Sequence, residues 1–126
     1  MAMRTKQELV TAALRELRVL PDGETPSAED FDTGEAAYDE LHSELADRGL
    51  VYWTNTDDVT QEIPLAVFSG LTSILADRIA ASYGKPPTQT QDEDGRMVTG
   101  YVAGMRRLRQ HMMKAPSGEV TPFSSY

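Results

Sequence analysis

One stretch of the chain, residues 64–82 (PLAVFSGLTSILADRIAAS), is apolar on several sides of the helix that its spacing predicts. Pro64 suits the first position of a helix, and Gly84 suits the position after its end. A helix with so wide an apolar surface is usually central in a small bundle or covered by neighbouring subunits. The stretch therefore favours a helical fold, and the residues expected to pack between subunits are Phe68, Leu71, Leu75 and Ile79.

Two helices are predicted before it. The first opens at Thr5 and Glu8, a capping-box pattern in which each side chain satisfies a backbone N–H of the other residue. The second runs from about Ala28 to Arg48, with Ser27 as its N-cap and Gly49 just past its end. Between the second and third helices, residues 50–64 (LVYWTNTDDVTQEIP) form the least helical interior stretch. This stretch is compatible with a short hairpin or with an irregular loop.

A fourth helix is predicted from near Thr90 or Gln91 to about Met113. Its N-terminus would carry three acidic residues, which suit the positive end of a helix dipole: Asp92, Glu93 and Asp94. Its apolar stripe would be Val98, Tyr101 or Val102, Met105, Leu108 and Met112. Glycines inside this helix indicate a kink or a close approach of two helices, at positions Gly95, Gly100 and Gly104.

At 126 residues the chain has the length of one domain. We predict an all-α fold: a helical domain over residues 1–114 that is a small bundle of about four helices, with an irregular loop or short hairpin between the second and third. An extended C-terminal tail follows over residues 115–126 (APSGEVTPFSSY), where composition changes to Pro, Gly and Ser. The tail ends in two aromatic residues three positions apart, Phe123 and Tyr126.

Charge is unevenly distributed along the chain, whose net charge is −8. Residues 22–62 contain thirteen Asp or Glu and one basic residue, Arg48. The end of the fourth helix has the opposite character, with Arg106, Arg107, Arg109 and Lys114 and no acid. Two interpretations remain open. The two ends could meet different partners, or a solvated acidic face could accompany a basic helix end that complements the helix dipole.

Several classes of chemistry have no support in the sequence. The absence of Cys excludes disulfides, thiolate metal sites and cysteine nucleophiles. His42 and His111 lie on separate predicted helices without a flanking metal-ligand pattern, so neither a metal nor a cofactor is expected. We find no apolar run that approaches the roughly 18–20 residues of a bilayer span, and no signal-peptide core at the N-terminus. The chain is therefore expected inside a cell, or in something assembled there, and not in a membrane.

Two functions other than a structural one have some support in the sequence. A carboxylate pair such as Glu40 and Glu44 could serve a virion-associated cell-wall hydrolase, but a solvated helix face explains both residues more simply. The segment MRRLRQHMMK (residues 105–114) could serve a small DNA-binding regulator, yet four basic residues on an acidic chain give little electrostatic affinity for DNA. We therefore expect no catalysis.

The order of these elements resembles the head–tail adaptor (connector) proteins of tailed bacteriophages. The resemblance is closest to the tail accessory factors of short-tailed phages, the packaged-DNA stabilisation family, and extends to gene-transfer-agent adaptors. It covers about residues 8–112 and rests on the spacing of five short motifs: Ala13–Leu17 (ALREL), Gly23–Asp30 (GETPSAED), Gly49-Leu50, Ile63–Leu65 (IPL) and Tyr83-Gly84.

The resemblance implies a helical subunit of the virion that forms a ring, commonly dodecameric, beneath the portal protein. Such subunits self-associate into the ring. The ring extends the channel for genomic DNA without binding the DNA specifically, and it connects to the next tail component. Docking to the portal is implied for the last helix and the tail: Arg106, Arg107, Arg109, Lys114, Val120, Pro122, Phe123 and Tyr126. A contact on the tail side or between subunits is implied for the loop residues Trp53, Asn55, Asp57 and Asp58.

Overall fold

The computed structural model describes residues 3–21, 23–91 and 94–113, and in them the predicted helical fold is confirmed. Four α-helices carry the fold: α1 (Lys6–Glu16), α2 (Ala28–Asp47), α3 (Leu65–Ile79) and α4 (Gly100–Met113). Two short antiparallel strand pairs join them: β1 (Met3–Thr5) with β2 (Gln61–Pro64), and β3 (Gln89–Gln91) with β4 (Met97–Thr99). Lys114 and the predicted tail at residues 115–126 lie outside the described residues.

The N-terminal ends of α1 and α2 are capped as the sequence predicts. The Thr5 hydroxyl accepts a hydrogen bond from the Glu8 N–H at 3.0 Å, while the Glu8 carboxylate accepts one from the Thr5 N–H at 2.9 Å. The Ser27 hydroxyl accepts from the Asp30 N–H at 3.1 Å. Gly49 follows α2 with a φ of +71°, the left-handed conformation expected after a helix end.

The segment between α2 and α3 is an irregular loop followed by β2, and it does not form the local hairpin that the sequence also allowed. β2 pairs with β1 near the N-terminus, so that Ile63 faces Arg4 and Pro64 faces Met3 across the ribbon. Pro64 is therefore the residue before α3 and not its first residue. Burial explains the distant pairing, because Ile63 joins the core that α1 and α3 share.

Helix α3 lies at the centre of the bundle and contacts α1, α2 and α4. A short 3₁₀ turn (Ala80–Tyr83) continues it as far as Gly84, whose φ is +67°. Together, Leu65–Tyr83 span 19 residues with a mean hydropathy of 1.3, so one described helix is long and apolar enough to cross a membrane, against the expectation from the sequence. Half of this stretch is buried inside the bundle, and a central core helix has the same composition.

The predicted start of the last helix is wrong by about ten residues, because α4 begins at Gly100. Residues near the expected start instead form the β3–β4 hairpin, whose turn contains Asp94 and Gly95, with Gly95 at a φ of +80°. Asp-Gly is a strong hairpin signal, and a positive φ favours glycine. Asp92 and Glu93 lie outside the described residues. The carboxylate that accepts from the first turn of α4 belongs to α3: Asp77 accepts from the Tyr101 N–H at 3.1 Å.

Glycines bring α3 and α4 together, as the sequence allowed. A Cβ placed on Gly70 would lie 3.2 Å from the Gly104 carbonyl oxygen, and one on Gly104 would clash with Gly70 and Ile74. The two helices run antiparallel, since Gly100 lies near Ser73 while Gly104 lies near Gly70. The end of α4 therefore lies beside the beginning of α3.

Candidate attachment surface

The outer face of α4 carries the three described residues of the predicted basic cluster. Arg106, Arg107 and Arg109 are all exposed, whereas Met105 and Leu108 are buried against the core. At about 100° per residue, Arg106 points away from the buried side, and the other two arginines flank it. The remaining residues predicted for docking, Lys114, Val120, Pro122, Phe123 and Tyr126, lie outside the described residues.

Arg107 is directed toward the C-terminal end of α1. It lines a recess together with Glu16 and Ser73, and its positive charge acts on the Glu16 carboxyl. Desolvation raises the pKa of Glu16, and the charge of Arg107 partly opposes that shift. The basic face therefore extends from α4 toward α1.

A contact between Tyr52 and His111 joins the interhelical loop to the last turn of α4. The Tyr52 hydroxyl oxygen lies 3.0 Å from His111 Nε2, and the two ring centroids are 5.9 Å apart. Tyr52 remains 52% exposed and meets Trp53 edge-on at 5.3 Å. Tyr52 thus presents aromatic surface at the same end of the bundle as the end of α4, where Met113 is also exposed.

Trp53 itself is not available to a partner, and its predicted contact role is wrong. Its side chain is only 6% exposed, and its indole N–H donates to the Tyr38 hydroxyl oxygen at 3.0 Å inside the core. The Trp53 carbonyl oxygen accepts from His42 Nε2 at 3.0 Å, which places a proton on that nitrogen. Desolvation raises the pKa of Tyr38 to about 12. This cluster fixes the loop to α2.

The other three predicted loop residues make bonds within the chain. The Asn55 amide donates to Asp39 on α2 at 2.9 Å, and the Asp58 carbonyl oxygen accepts from the Gln7 N–H at 3.2 Å. The Asp57 carboxylate accepts from the backbone N–H groups of Val59 and Thr60 at 2.9 and 2.7 Å. These hydrogen bonds stabilise the loop. Among the large apolar side chains of the loop, Val59 is the most exposed.

A buried carboxylate that the sequence did not reveal holds the same loop. Glu62 on β2 is only 8% exposed and accepts from the Thr54 hydroxyl at 2.6 Å and from the Thr56 hydroxyl at 2.9 Å. It also accepts from the Thr56 N–H at 3.1 Å. Desolvation acts to raise its pKa, but these hydrogen bonds outweigh it and the pKa lies below its ordinary value. No motif signals this role, since the donors are ordinary threonines.

Most of the α3 residues predicted to pack against a neighbouring subunit are buried in the core of this chain. Leu71, Leu75 and Ile79 are buried among the residues of the hydrophobic core and have no surface left for a neighbouring subunit, so that expectation is wrong for them. Phe68 differs, because it is only partly buried. It lines a groove on the outside of the bundle.

That groove lies over α1 and the beginning of α3 and has a volume of about 690 Å³. Its apolar lining includes Ala12, Phe31, Leu65 and Phe68, and Leu65 is 45% exposed. Arg4 and Arg15 lie at its edge. A shallower surface that shares Ala12, Arg15 and Phe68 continues from it to Arg107 on α4. The groove is thus connected with the basic face.

The carboxylates considered for hydrolysis are arranged as an ion-paired surface. Glu44 binds the guanidinium of Arg78 through two hydrogen bonds of 2.8 and 2.9 Å, and these bonds lower the pKa of Glu44. Glu40 lies 3.8 Å from the same guanidinium. The lowered pKa of Glu44 favours its ionised form near neutral pH, which is unsuited to a general acid.

Within residues 3–21, 23–91 and 94–113, no group of three or more His, Asp or Glu side chains is placed to hold a metal ion. The chain matches no protein-family model, no curated protein and no solved structure.

Proposed function

We propose that the chain is a structural adaptor at the head–tail interface of a tailed bacteriophage. In this proposal, the basic face of α4 and residues 114–126 form one attachment site for the portal ring. The observation that carries the proposal is the outward display of Arg106, Arg107 and Arg109 immediately before Lys114 and the aromatic segment. Arginine and aromatic residues are the types that most often carry interface energy.

The distribution of charge supports a subunit with two unlike surfaces. Exposed carboxylates lie along α2, among them Asp32, Glu40 and Asp47. In a ring of such subunits, commonly dodecameric in the family that the sequence resembles, an acidic surface could line a passage for genomic DNA without retaining it, because like charges repel. The braced loop with Tyr52 and Val59 would then be offered to a neighbouring copy or to the next tail component.

The proposal is tested by mixing the purified chain with the portal ring of the same virus and measuring bound copies by native mass spectrometry. The variant Arg106→Glu/Arg107→Glu/Arg109→Glu is expected to lose at least about tenfold in affinity, which corresponds to about 1.4 kcal/mol. A control with two exposed charges reversed elsewhere, Arg18→Glu/Lys85→Glu, should bind normally. Circular dichroism verifies that both variants fold. Equal binding by the triple variant would contradict the proposal.

The runner-up function is a carboxylate-dependent cell-wall hydrolase, and the carboxylate that would serve it is Glu16, which lines a recess together with Arg107. That function requires Glu16→Gln to abolish clearing of a cell-wall suspension by the purified chain. The adaptor proposal expects no clearing by either protein, and unchanged portal binding by Glu16→Gln. A DNA-binding regulator would instead show duplex binding that falls steeply with salt.

A further inference from the structure

The apolar groove over α1 and α3 has room for a peptide. Its volume of about 690 Å³ lies in the range of ligand-binding clefts, and aromatic rings from two different helices line it, Phe31 from α2 and Phe68 from α3. Both rings pack against the core on one side, so their positions are fixed, and Leu65 beside them is 45% exposed. Such a surface binds apolar or aromatic side chains by removing them from water.

Helix α4 ends at the same end of the bundle as the beginning of α3, which contributes Leu65 and Phe68 to the groove. Because α3 and α4 are antiparallel, Met113 lies at the end of the bundle where Leu65 begins α3. The Tyr52–His111 contact fixes the last turn of α4 there. A shallow surface runs from Arg107 across α3 to Phe68 and the groove.

The following residues have the length and chemistry that the groove requires. Phe123 lies ten positions after Met113, and an extended chain of ten steps spans about 33 Å. Helix α3, with its 15 residues, is only about 22 Å long. Phe123 and Tyr126 supply aromatic side chains, and Glu119 supplies one negative charge. Arg15 at the groove edge donates to the Glu24 carbonyl oxygen at 3.3 Å and can meet that charge.

We propose that residues 119–126 of the same chain bind in the groove lined by Ala12, Phe31, Leu65 and Phe68. Phe123 and Tyr126 fill its apolar part, and Glu119 lies toward Arg15. This inference does not depend on the adaptor proposal, because it concerns the isolated subunit. If both hold, a portal competes with the groove for one segment, and the free subunit keeps its attachment segment covered until a partner takes it.

Disulfide trapping tests the proposal directly, since the chain contains no Cys of its own. The pair Ala12→Cys/Ser124→Cys is expected to form an intrachain disulfide at least about fivefold faster than Ala46→Cys/Ser124→Cys. Ala46 is an exposed alanine of α2 outside the groove, so the two pairs match in chemistry. Mass spectrometry at low protein concentration distinguishes intrachain from interchain bonds. Equal rates for the two pairs, or bonds only between chains, would overturn the proposal.

A second measurement separates specific binding from chance encounter of a nearby segment. Adding Phe123→Ser and Tyr126→Ser to the Ala12/Ser124 cysteine pair should lower its rate to that of the Ala46 pair. Adding Leu65→Ser, which changes an exposed groove residue and spares the core, should lower the rate as well. If both changes leave the rate unchanged, the groove does not recognise the segment and the proposal fails, whatever the portal experiment shows.

Discussion

The backbone of Gly104 on α4 lies directly against the backbone of Gly70 on α3. This contact determines how close the basic helix sits to the central helix. A Cβ at Gly104 would have to displace the backbone of Gly70, whereas a Cβ at Gly70 would only be tightly packed against the backbone of Gly104.

Gly104→Ala is expected to destabilise the protein by about 1–3 kcal/mol, the usual cost of overpacking, although alanine is the better helix former. Gly70→Ala should cost less, because its nearest neighbour would be 3.2 Å away and a small shift relieves the contact. Urea unfolding followed by circular dichroism measures both. Gln110→Ala on the exposed side of α4 is the control. A more stable Gly104→Ala would show that the two helices are not in this contact.

Removal of the buried charge at Glu62 should loosen the loop between α2 and β2. Glu62→Gln is expected to cost about 1.5–3 kcal/mol at pH 7, the range for hydrogen bonds to a charged group. Because folding lowers the pKa of Glu62, its carboxylate stabilises the fold fully above its ordinary pKa of about 4.5, and that contribution is lost as pH falls through the folded pKa. The difference between the two proteins should therefore shrink below about pH 4.5.

Unfolding free energies between pH 3 and pH 7 test this dependence. Glu24→Gln, at an exposed glutamate, should show no comparable loss at pH 7. A Glu62→Gln protein as stable as the original at pH 7 would mean that the loop is held by other contacts.

Tyr38 should make the protein sensitive to alkali. Its pKa of about 12 in the folded chain exceeds the value of 10.0 for an exposed tyrosine, so the folded state holds the proton more tightly. Stability should fall as pH rises from 10 to 12, by up to about 1.4 kcal/mol per pH unit from this residue. Tyr38→Phe removes that part of the slope, while Tyr83, whose pKa is also raised to about 12, still contributes.

The same variant reports on the core at neutral pH. Tyr38→Phe leaves the Trp53 indole N–H without its partner, which should cost about 1–3 kcal/mol. Trp53 is the single tryptophan of the chain, so its emission reports the change without interference. An unchanged spectrum together with unchanged stability would argue against the buried indole–hydroxyl bond.

The capping box at the start of α1 should contribute about 1 kcal/mol to the free energy of unfolding, the typical loss when an N-cap threonine is replaced by alanine. Thr5→Ala and Glu8→Ala should be non-additive in a double-mutant cycle, because each side chain bonds the other's backbone. Thr11→Ala is the control, since the Thr11 hydroxyl donates to the Gln7 carbonyl oxygen one turn earlier in the same helix. Additive effects from urea unfolding would contradict the reciprocal cap.

Local signals in the sequence were sufficient for three of the helices. Thr5, Ser27 and Gly49 act within a few residues of their own positions, so their effects could be inferred without knowing the tertiary structure. The start of α4 could not be inferred in the same way. Asp94-Gly95 is a hairpin signal inside a helix-like apolar pattern. The Asp77 carboxylate, which accepts a hydrogen bond from the first turn of α4, belongs to another helix.

The surface was harder to predict than the helices. The exposure of Arg106, Arg107 and Arg109 follows from helical spacing around Leu108. Whether Trp53 or Leu71 faces a partner or the core depends on packing between segments distant in sequence, and both proved to be buried. The apolar groove is formed by residues of α1, α2 and α3 together, so no single stretch of sequence signals it.

The central claim is that this chain attaches to a portal ring through the end of α4 and the residues beyond it. Its most direct test is native mass spectrometry of the portal ring of the same virus, mixed either with the full chain or with a chain that ends at Lys114. We predict that full-length chains bind the portal as a ring of subunits and that the shortened chain binds it little or not at all. A shortened chain that occupies the portal fully, or a full chain that does not bind it, would contradict the account.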